Sequence, residues 1–247
     1  MPPRDLFTGK RYWIVGASEG LGRALAQSLA DAGAELVLSA RNAERLVALT
    51  GGLPGAAALP MDVTDPVSVA AACADVGHVD AVIYCAGAYD PMTARDFDLE
   101  TAERIMDVNY AGALRIVHGI LPAFLGRKSG RIVLVGSLAG FRGLPGAVGY
   151  SASKAALMSL GETLYADLRG TGVGVQLVHP GFIQTRLTEK NSFNMPGLMT
   201  PEEAADHVMR ALRSGRFQTS FPFAFSLVFR LGRFLPARLF YKLMPVR

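Results

Sequence analysis

Tyr150 and Lys154 stand four residues apart in the run Tyr-Ser-Ala-Ser-Lys, a segment whose pattern reads as helix. At that spacing two side chains share one face of a helix. The ammonium then lies within Coulomb range of the phenol and favours its ionised form. A tyrosine titrates ordinarily near ~10, and moving it three units toward neutrality takes roughly 4 kcal/mol, at about 1.4 kcal/mol per unit. One close cation in a dry site supplies much of that, so the chemistry within reach is general acid–base catalysis. The same pair occurs on ordinary solvated helix faces, and the elements around it have to supply the context.

Those elements alternate. Residues 12–15 (Tyr-Trp-Ile-Val) form a β-rich run, followed at once by Gly16-Ala17-Ser18-Glu19-Gly20-Leu21-Gly22 and an Ala/Leu-rich helical segment ending at Gly33. Glycines between a strand and a helix let the backbone turn tightly and approach a pyrophosphate, which the helix N-terminus holds. A second strand covers 35–39 and is followed by Arg41 with no acid. Ligands of such sheets lie beyond the carboxyl ends of the strands, where an acid would bind the ribose hydroxyls of NAD and an arginine would accommodate the 2′-phosphate of NADP. Glu35 opens that strand and sits on the order of 13 Å from the ligand edge at ~3.3 Å per residue, too far to serve as that acid. Arg41 is the candidate phosphate partner, with an ordinary surface charge as the alternative.

A weak third strand at 57–60 leads to Asp62-Val63, placed to touch an adenine, and Asp65-Pro66 opens a helix. A fourth strand at 79–84 ends in Cys85-Ala86-Gly87, small enough for a cofactor to pass close by. A long helical pattern over 99–121 carries Asn109, a poor helix former and so a candidate for local function or a plain solvated amide. The nearly continuous apolar runs at 131–135 and 173–178 read as strands buried on both faces of a parallel sheet. The first ends at Gly136-Ser137, and Gly140, Gly143, Gly146 and Gly149 make a loop that folds Ser137 back toward Tyr150. The second ends at His179-Pro180-Gly181. The fold class is therefore α/β, a doubly wound parallel sheet of Rossmann type in a single domain, with residues 1–216 as its core.

Composition narrows the rest. The 247 residues are half apolar, without a fixed-period repeat, a bilayer-length apolar run or a secretory h-region, which points to a cytoplasmic protein. Cys73 and Cys85 are expected as buried thiols. His78, His118, His179 and His207 show no metal-ligand spacing, and no metal site is read. All 21 acids precede Arg210, together with 17 of the 25 bases, so the net charge of +4 resides in the tail.

In order along residues 10–214, these motifs resemble the short-chain dehydrogenase/reductase family. Gly16, Ser18, Glu19, Gly20, Leu21 and Gly22 fall in its cofactor turn, Asp62 and Val63 at its adenine contact, and Ala86 and Gly87 in its small-residue turn. Asn109 matches its helix asparagine, and Ser137, Tyr150 and Lys154 its catalytic set. Pro180, Gly181, Ile183 and Thr185 match the stretch that holds the nicotinamide amide. Val15 stands where the family usually has Thr, and Tyr84-Cys85 replaces the first two residues of its Asn-Asn-Ala-Gly turn. Both departures bear on hydrogen bonds that brace the central strands and the adenine ribose. The resemblance implies hydride transfer between NADP(H), preferred over NAD(H), and a carbonyl or secondary alcohol. Tyr150 would be the proton donor, Ser137 a hydrogen-bond donor to the same oxygen, and Lys154 both the phenol's cation and a ribose ligand. Asn109 would position a water linking that lysine to solvent. A regulatory protein that keeps the cofactor, or an epimerase or dehydratase using the same tyrosine, is the alternative. The family also implies a homodimer or homotetramer.

Residues 186–199 follow the nicotinamide turn and read as a substrate lid. Phe193, Met195, Leu198 and Met199, with Leu138, Phe141 and Leu144, suggest an apolar pocket for a small-molecule substrate; nothing suggests nucleic acid. The tail, 217–247, reads as two basic amphipathic helices. Ser226, Arg230 and Arg233 fall on one narrow side of the first. In the second, begun by Pro236, Arg238 and Lys242 oppose Leu239, Phe240 and Leu243. The tail either covers the pocket or a subunit interface, or lies on an anionic membrane surface.

Overall fold

Alternation along β1 (Arg11–Val15) divides the core in two. Tyr12 and Ile14 point into one apolar layer and Trp13 and Val15 into the other. The same division runs through β2 (Glu35–Ser39), where Leu36 and Leu38 oppose Val37. In β5 (Gly130–Val135) Val133 and Val135 oppose Ile132 and Leu134. Strands buried on both faces in this way need helices on both sides, and α1 (Gly20–Asp31) and α7 (Pro201–Ser214) cover one layer. On the other lie α3 (Pro66–Asp75), α5 (Gly112–Gly126) and α6 (Val148–Asp167).

The computed structural model of the protein describes residues 6–243 and has one seven-stranded sheet, ordered β3-β2-β1-β4-β5-β6-β7, with every pairing parallel. Here β3 is Ala56–Ala58, β4 Ala81–Tyr84, β6 Val173–Pro180 and β7 Gln218–Phe221. Strand order reverses between β1 and β4, which opens a crevice beyond their carboxyl ends.

Several elements differ from the sequence reading. The sheet's last strand, β7, lies past residue 217 and pairs with β6, so what extends beyond the sheet starts at Pro222. There α8 (Phe223–Gly232) and α9 (Ala237–Leu243) follow, and residues 244–247 of the expected tail lie outside the described residues. The expected helix over 99–121 is α4 (Leu99–Met106), a five-residue π turn (Asp107–Ala111) and α5. This combined helix, Leu99–Gly126, is long and apolar enough to cross a bilayer by length and composition. Its Ile116, Val117, Ile120 and Phe124 pack in the core instead. The glycine loop is shorter than expected, because Leu138–Gly140 forms a 3-10 turn and Gly149 is already inside α6.

Candidate active site

A cleft of about 950 Å3 runs along the carboxyl ends of the strands, near the upper end of the ~300–1,000 Å3 usual for small-molecule sites. Its floor at one end is backbone. Gly16 has φ +92°, and a Cβ there would lie 2.5 Å from the Ala86 nitrogen; a Cβ on Gly22 would lie 2.0 Å from the Gly16 carbonyl oxygen. The turn, the start of α1 and the Ala86-Gly87 strand end are thus packed main chain to main chain. Ser18, Glu19, Gly20, Leu21, Asp62, Val63, Ala86 and Gly87 line the cleft, as do Pro180, Gly181, Ile183 and Thr185 from the far side. Glu19 bridges Arg45 at 3.0 Å and Arg186 at 2.6 Å, which ties the glycine turn to α2 (Ala43–Thr50) and to the 186–199 segment. Arg41 is exposed at the cleft edge with Arg45 also lining it. Arg45 was not singled out from the sequence; its place on the first turn of a helix just after Arg41 was the available signal.

Beyond β5, Ser137 caps the 3-10 turn, accepting from the Ala139 amide at 3.1 Å, and its side chain is hydrogen-bonded to the Tyr150 hydroxyl. Lys154, one helical turn along α6, is buried and donates from Nζ to the Val135 carbonyl at 3.0 Å. Its ammonium lies 5.9 Å from the Tyr150 ring centroid. Burial lowers the lysine to about 8, opposed by Cys85. Burial also raises the Tyr150 phenol above its ordinary value, opposed by the Ser137 hydrogen bond. Helical spacing brings the two residues together, but the lysine stem runs on to a strand-end carbonyl.

Asn109 is the one expected catalytic or cofactor-binding residue that does not line the cleft. It is fully buried in the π turn, where its amide donates to the Ala88 carbonyl (3.0 Å) and Ser153 Oγ (2.8 Å) and accepts from the Ala88 amide (2.7 Å). A π turn offsets the helical hydrogen-bond pattern and recurs at functional positions. Here Tyr84 reaches it as well, its buried hydroxyl donating to the Val108 carbonyl at 2.5 Å. Tyr84 thus supplies a strand-to-helix brace of its own at the position where the sequence departs from the family pattern, and burial pushes its phenol far up.

The 186–199 segment closes the other end. Asp90 pairs with Lys190 and Arg104, and the Tyr89 hydroxyl is hydrogen-bonded to Asn191 Oδ1 at 2.7 Å. Phe193, Leu138 and Leu144 line the cleft as expected. Phe141 instead packs on His179 (ring centroids 4.9 Å), Met199 is in the core, Leu198 faces solvent, and Met195 holds Asn191 through its sulfur. Phe182, and Phe225, Val228 and Phe229 from α8, supply the rest of the apolar wall. The tail's share was hidden in the sequence, because a ten-residue apolar helix does not declare which face turns inward. Ser226 marks the correction: expected on an outer polar side, it is fully buried, its hydroxyl bonded to the Phe223 carbonyl at 2.7 Å. In α9 Phe240 is buried but Leu239 is exposed, and the side chain of Leu243 lies outside the described residues. Arg142 fixes this part to the body, donating to the carbonyls of Gly232 and Leu235 and lying 4.5 Å over the Phe240 ring. The Tyr241 hydroxyl donates to the Gly143 carbonyl at 3.1 Å.

A doubly wound sheet with a glycine turn at its switch point and a Ser–Tyr–Lys group facing it defines a nicotinamide-dependent oxidoreductase. The short chain dehydrogenase profile matches residues 10–195. An uncharacterized oxidoreductase of Myxococcus xanthus is 37% identical over 235 residues, covering 92% of this chain and 93% of that one. A short chain dehydrogenase from Burkholderia cenocepacia, solved in complex with NADP, superposes with a TM-score of 0.86 at 28% identity over 97% of this chain and 99% of its own. A short chain dehydrogenase/reductase from Burkholderia phymatum in complex with NAD gives 0.82 at 27% identity over 91% and 93%. The chain belongs to the short-chain dehydrogenase/reductase family.

Proposed function

We propose that the protein interconverts a carbonyl and a secondary alcohol on an apolar substrate, using NADP(H) in preference to NAD(H). The observation that carries this reading is the Ser137–Tyr150 hydroxyl pair, set at the cleft wall with Lys154 beneath it and Leu138, Leu144, Phe182, Phe193, Phe225 and Phe229 lining the space around it. The dinucleotide fits what the chain provides: a floor without side chains at Gly16 and Gly22, with the small Ala86 beside them, and two guanidinium groups, Arg41 and Arg45, at the end where a 2′-phosphate would lie. The nicotinamide, when bound, supplies or accepts the hydride.

Tyr150 holds its proton at neutral pH, as a phenol ordinarily does, and is placed to act as the general acid on a carbonyl oxygen. Ser137 offers a second hydrogen bond where charge develops on that oxygen. Lys154 keeps its cation at neutral pH and holds it within the cleft wall beside Gly87. Asn109 braces the Ala88 backbone and α6 behind that wall. The supporting preference for NADP(H) is electrostatic, since charge-assisted bonds from a guanidinium to a phosphate exceed neutral ones about twofold in strength.

A panel of ketones and secondary alcohols, each with both cofactors, followed at the nicotinamide absorbance, tests the reading. An apolar ketone is expected to oxidise NADPH. Tyr150→Phe should then lose roughly 10²–10⁴-fold in turnover while NADPH binding stays close to wild type. Full activity in that variant refutes the proton-donor role, and inversion of an alcohol centre without net cofactor change identifies an epimerase.

A further inference from the structure

Helix α8 is apolar on its outer side as well as on its inner one. Its inner side, with Phe225, Ser226, Phe229 and Gly232, packs on the body and the cleft. Its outer side carries Phe223, Leu227 and Leu231, four residues apart and so stacked in one row. Phe223 and Leu231 are 68% and 62% exposed, and Phe234, just past the helix, is 77% exposed. Arg230, Arg233, Arg238 and Lys242 are exposed around this row, and none forms an ion pair with a described residue. No acid follows Asp206 in the sequence. The row is not the product of a loose end, because the Arg142 side chain holds the Gly232 and Leu235 carbonyls and Tyr241 holds the Gly143 carbonyl.

We propose that α8 and α9 form a docking face for an anionic lipid bilayer. Phe223, Leu227, Leu231 and Phe234 enter the boundary between headgroups and acyl chains, and the four cations meet the lipid phosphates, the arrangement of an interfacial helix. Charge favours this occupant over a second copy of the chain. A symmetric pairing would apply the same patch to itself and set these cations against each other with no acid between them, an unfavourable juxtaposition. Val228 lines the cleft and is itself half exposed, so the cleft opens beside the docking face. A substrate dissolved in the bilayer then reaches Tyr150 without crossing water; that corollary rests on the proposed apolar substrate, whereas the docking does not.

Co-sedimentation of the full-length protein with vesicles of phosphatidylcholine and phosphatidylglycerol, against phosphatidylcholine alone, tests it. Binding is expected to the anionic vesicles only, and to fall as salt shortens the Debye length from about 10 Å at 0.1 M to about 3 Å at 1 M. Arg230→Gln with Arg233→Gln should weaken partitioning about thirtyfold, roughly fivefold for each charge. Leu231→Ser with Phe234→Ser should weaken it too, with NADPH binding in vesicle-free buffer unchanged. Absence of sedimentation at low salt, or binding that neither double variant alters, overturns the proposal. So does an oligomer in analytical ultracentrifugation that the serine variant dissociates, since the face would then be a subunit interface. Should the serine variant fail to fold, the glutamine variant decides alone, glutamine being well tolerated at exposed helical positions.

Discussion

Replacing Asn109 by alanine should cost fold and function together, and the size follows from three bonds. Asn109 is fully buried and Ala88 nearly so. Truncation removes the partner of the Ala88 amide (2.7 Å) and of the Ala88 carbonyl (3.0 Å). Each buried backbone group left unsatisfied costs about 1–3 kcal/mol. Ser153 Oγ loses its incoming donor (2.8 Å) but keeps its own bond to the Tyr150 carbonyl, also 2.8 Å, so its share is smaller. The sum is about 4 kcal/mol, which at ~2–4 °C per kcal/mol for a domain of this size lowers Tm by roughly 8–16 °C. Thermal unfolding followed by circular dichroism reads this directly. The dissociation constant for NADPH should rise as well, since a Cβ at Gly87 would sit 3.6 Å from the Asn109 oxygen and 3.8 Å from Lys154 Nζ. A variant that melts within about 2 °C of wild type, against the shift worked above, while losing turnover would refute the bracing role and return Asn109 to a solvent relay.

Arg41→Ala should weaken NADPH binding about tenfold or more and NADH binding little, by the 1.5–3 kcal/mol of a hydrogen bond to a charged group. Arg45→Ala should add to that loss, and equal losses for both cofactors in titrations would remove both residues from the phosphate site. His179, fully buried, is pulled down to about 4 by burial and then by the charge of Lys154, opposed by a hydrogen bond with the Ser137 backbone. The unfolded chain takes up this proton below about 6.5 and the folded one does not until about 4, so stability is lost as pH falls through that window. The loss amounts to about 3 kcal/mol. His179→Asn should flatten the pH dependence of Tm between those values, and an unchanged acid slope in the variant would assign the acid sensitivity elsewhere.

The sheet was legible because its strands announce themselves chemically. Runs such as Ile132-Val133-Leu134-Val135, short and rich in β-branched residues, suit a strand covered on both faces of a parallel sheet, and the glycine turn lies between strand and helix where a dinucleotide fold requires it. β7 was not legible: Gln218-Thr219-Ser220 is polar, and only its pairing with β6 makes it a strand. The cleft residues of the glycine turn and Asp62-Val63 could be located because each follows a strand's carboxyl end, a one-dimensional signal, whereas Pro180 to Thr185 were located through the family resemblance. The orientation of Lys154 toward Val135, the brace from Tyr84 to the π turn and the inward face of α8 depend on partners distant in sequence, and spacing alone carries no information about them.

The main-chain contacts under the cofactor turn have a bearing on how mutational scans of this protein will read. A methyl group at Gly22 would overlap the Gly16 carbonyl, and one at Gly16 would overlap Ala86, so alanine at either position displaces β1, α1 and the end of β4 before any ligand is involved. Activity loss there reports on chain assembly and is silent about affinity. Ser18 and Arg41, which line the cleft with side chains of their own, are the positions where a substitution measures binding. A map of sensitivity along the chain will peak at the glycines, while the information about cofactor choice lies in the lower ground beside them.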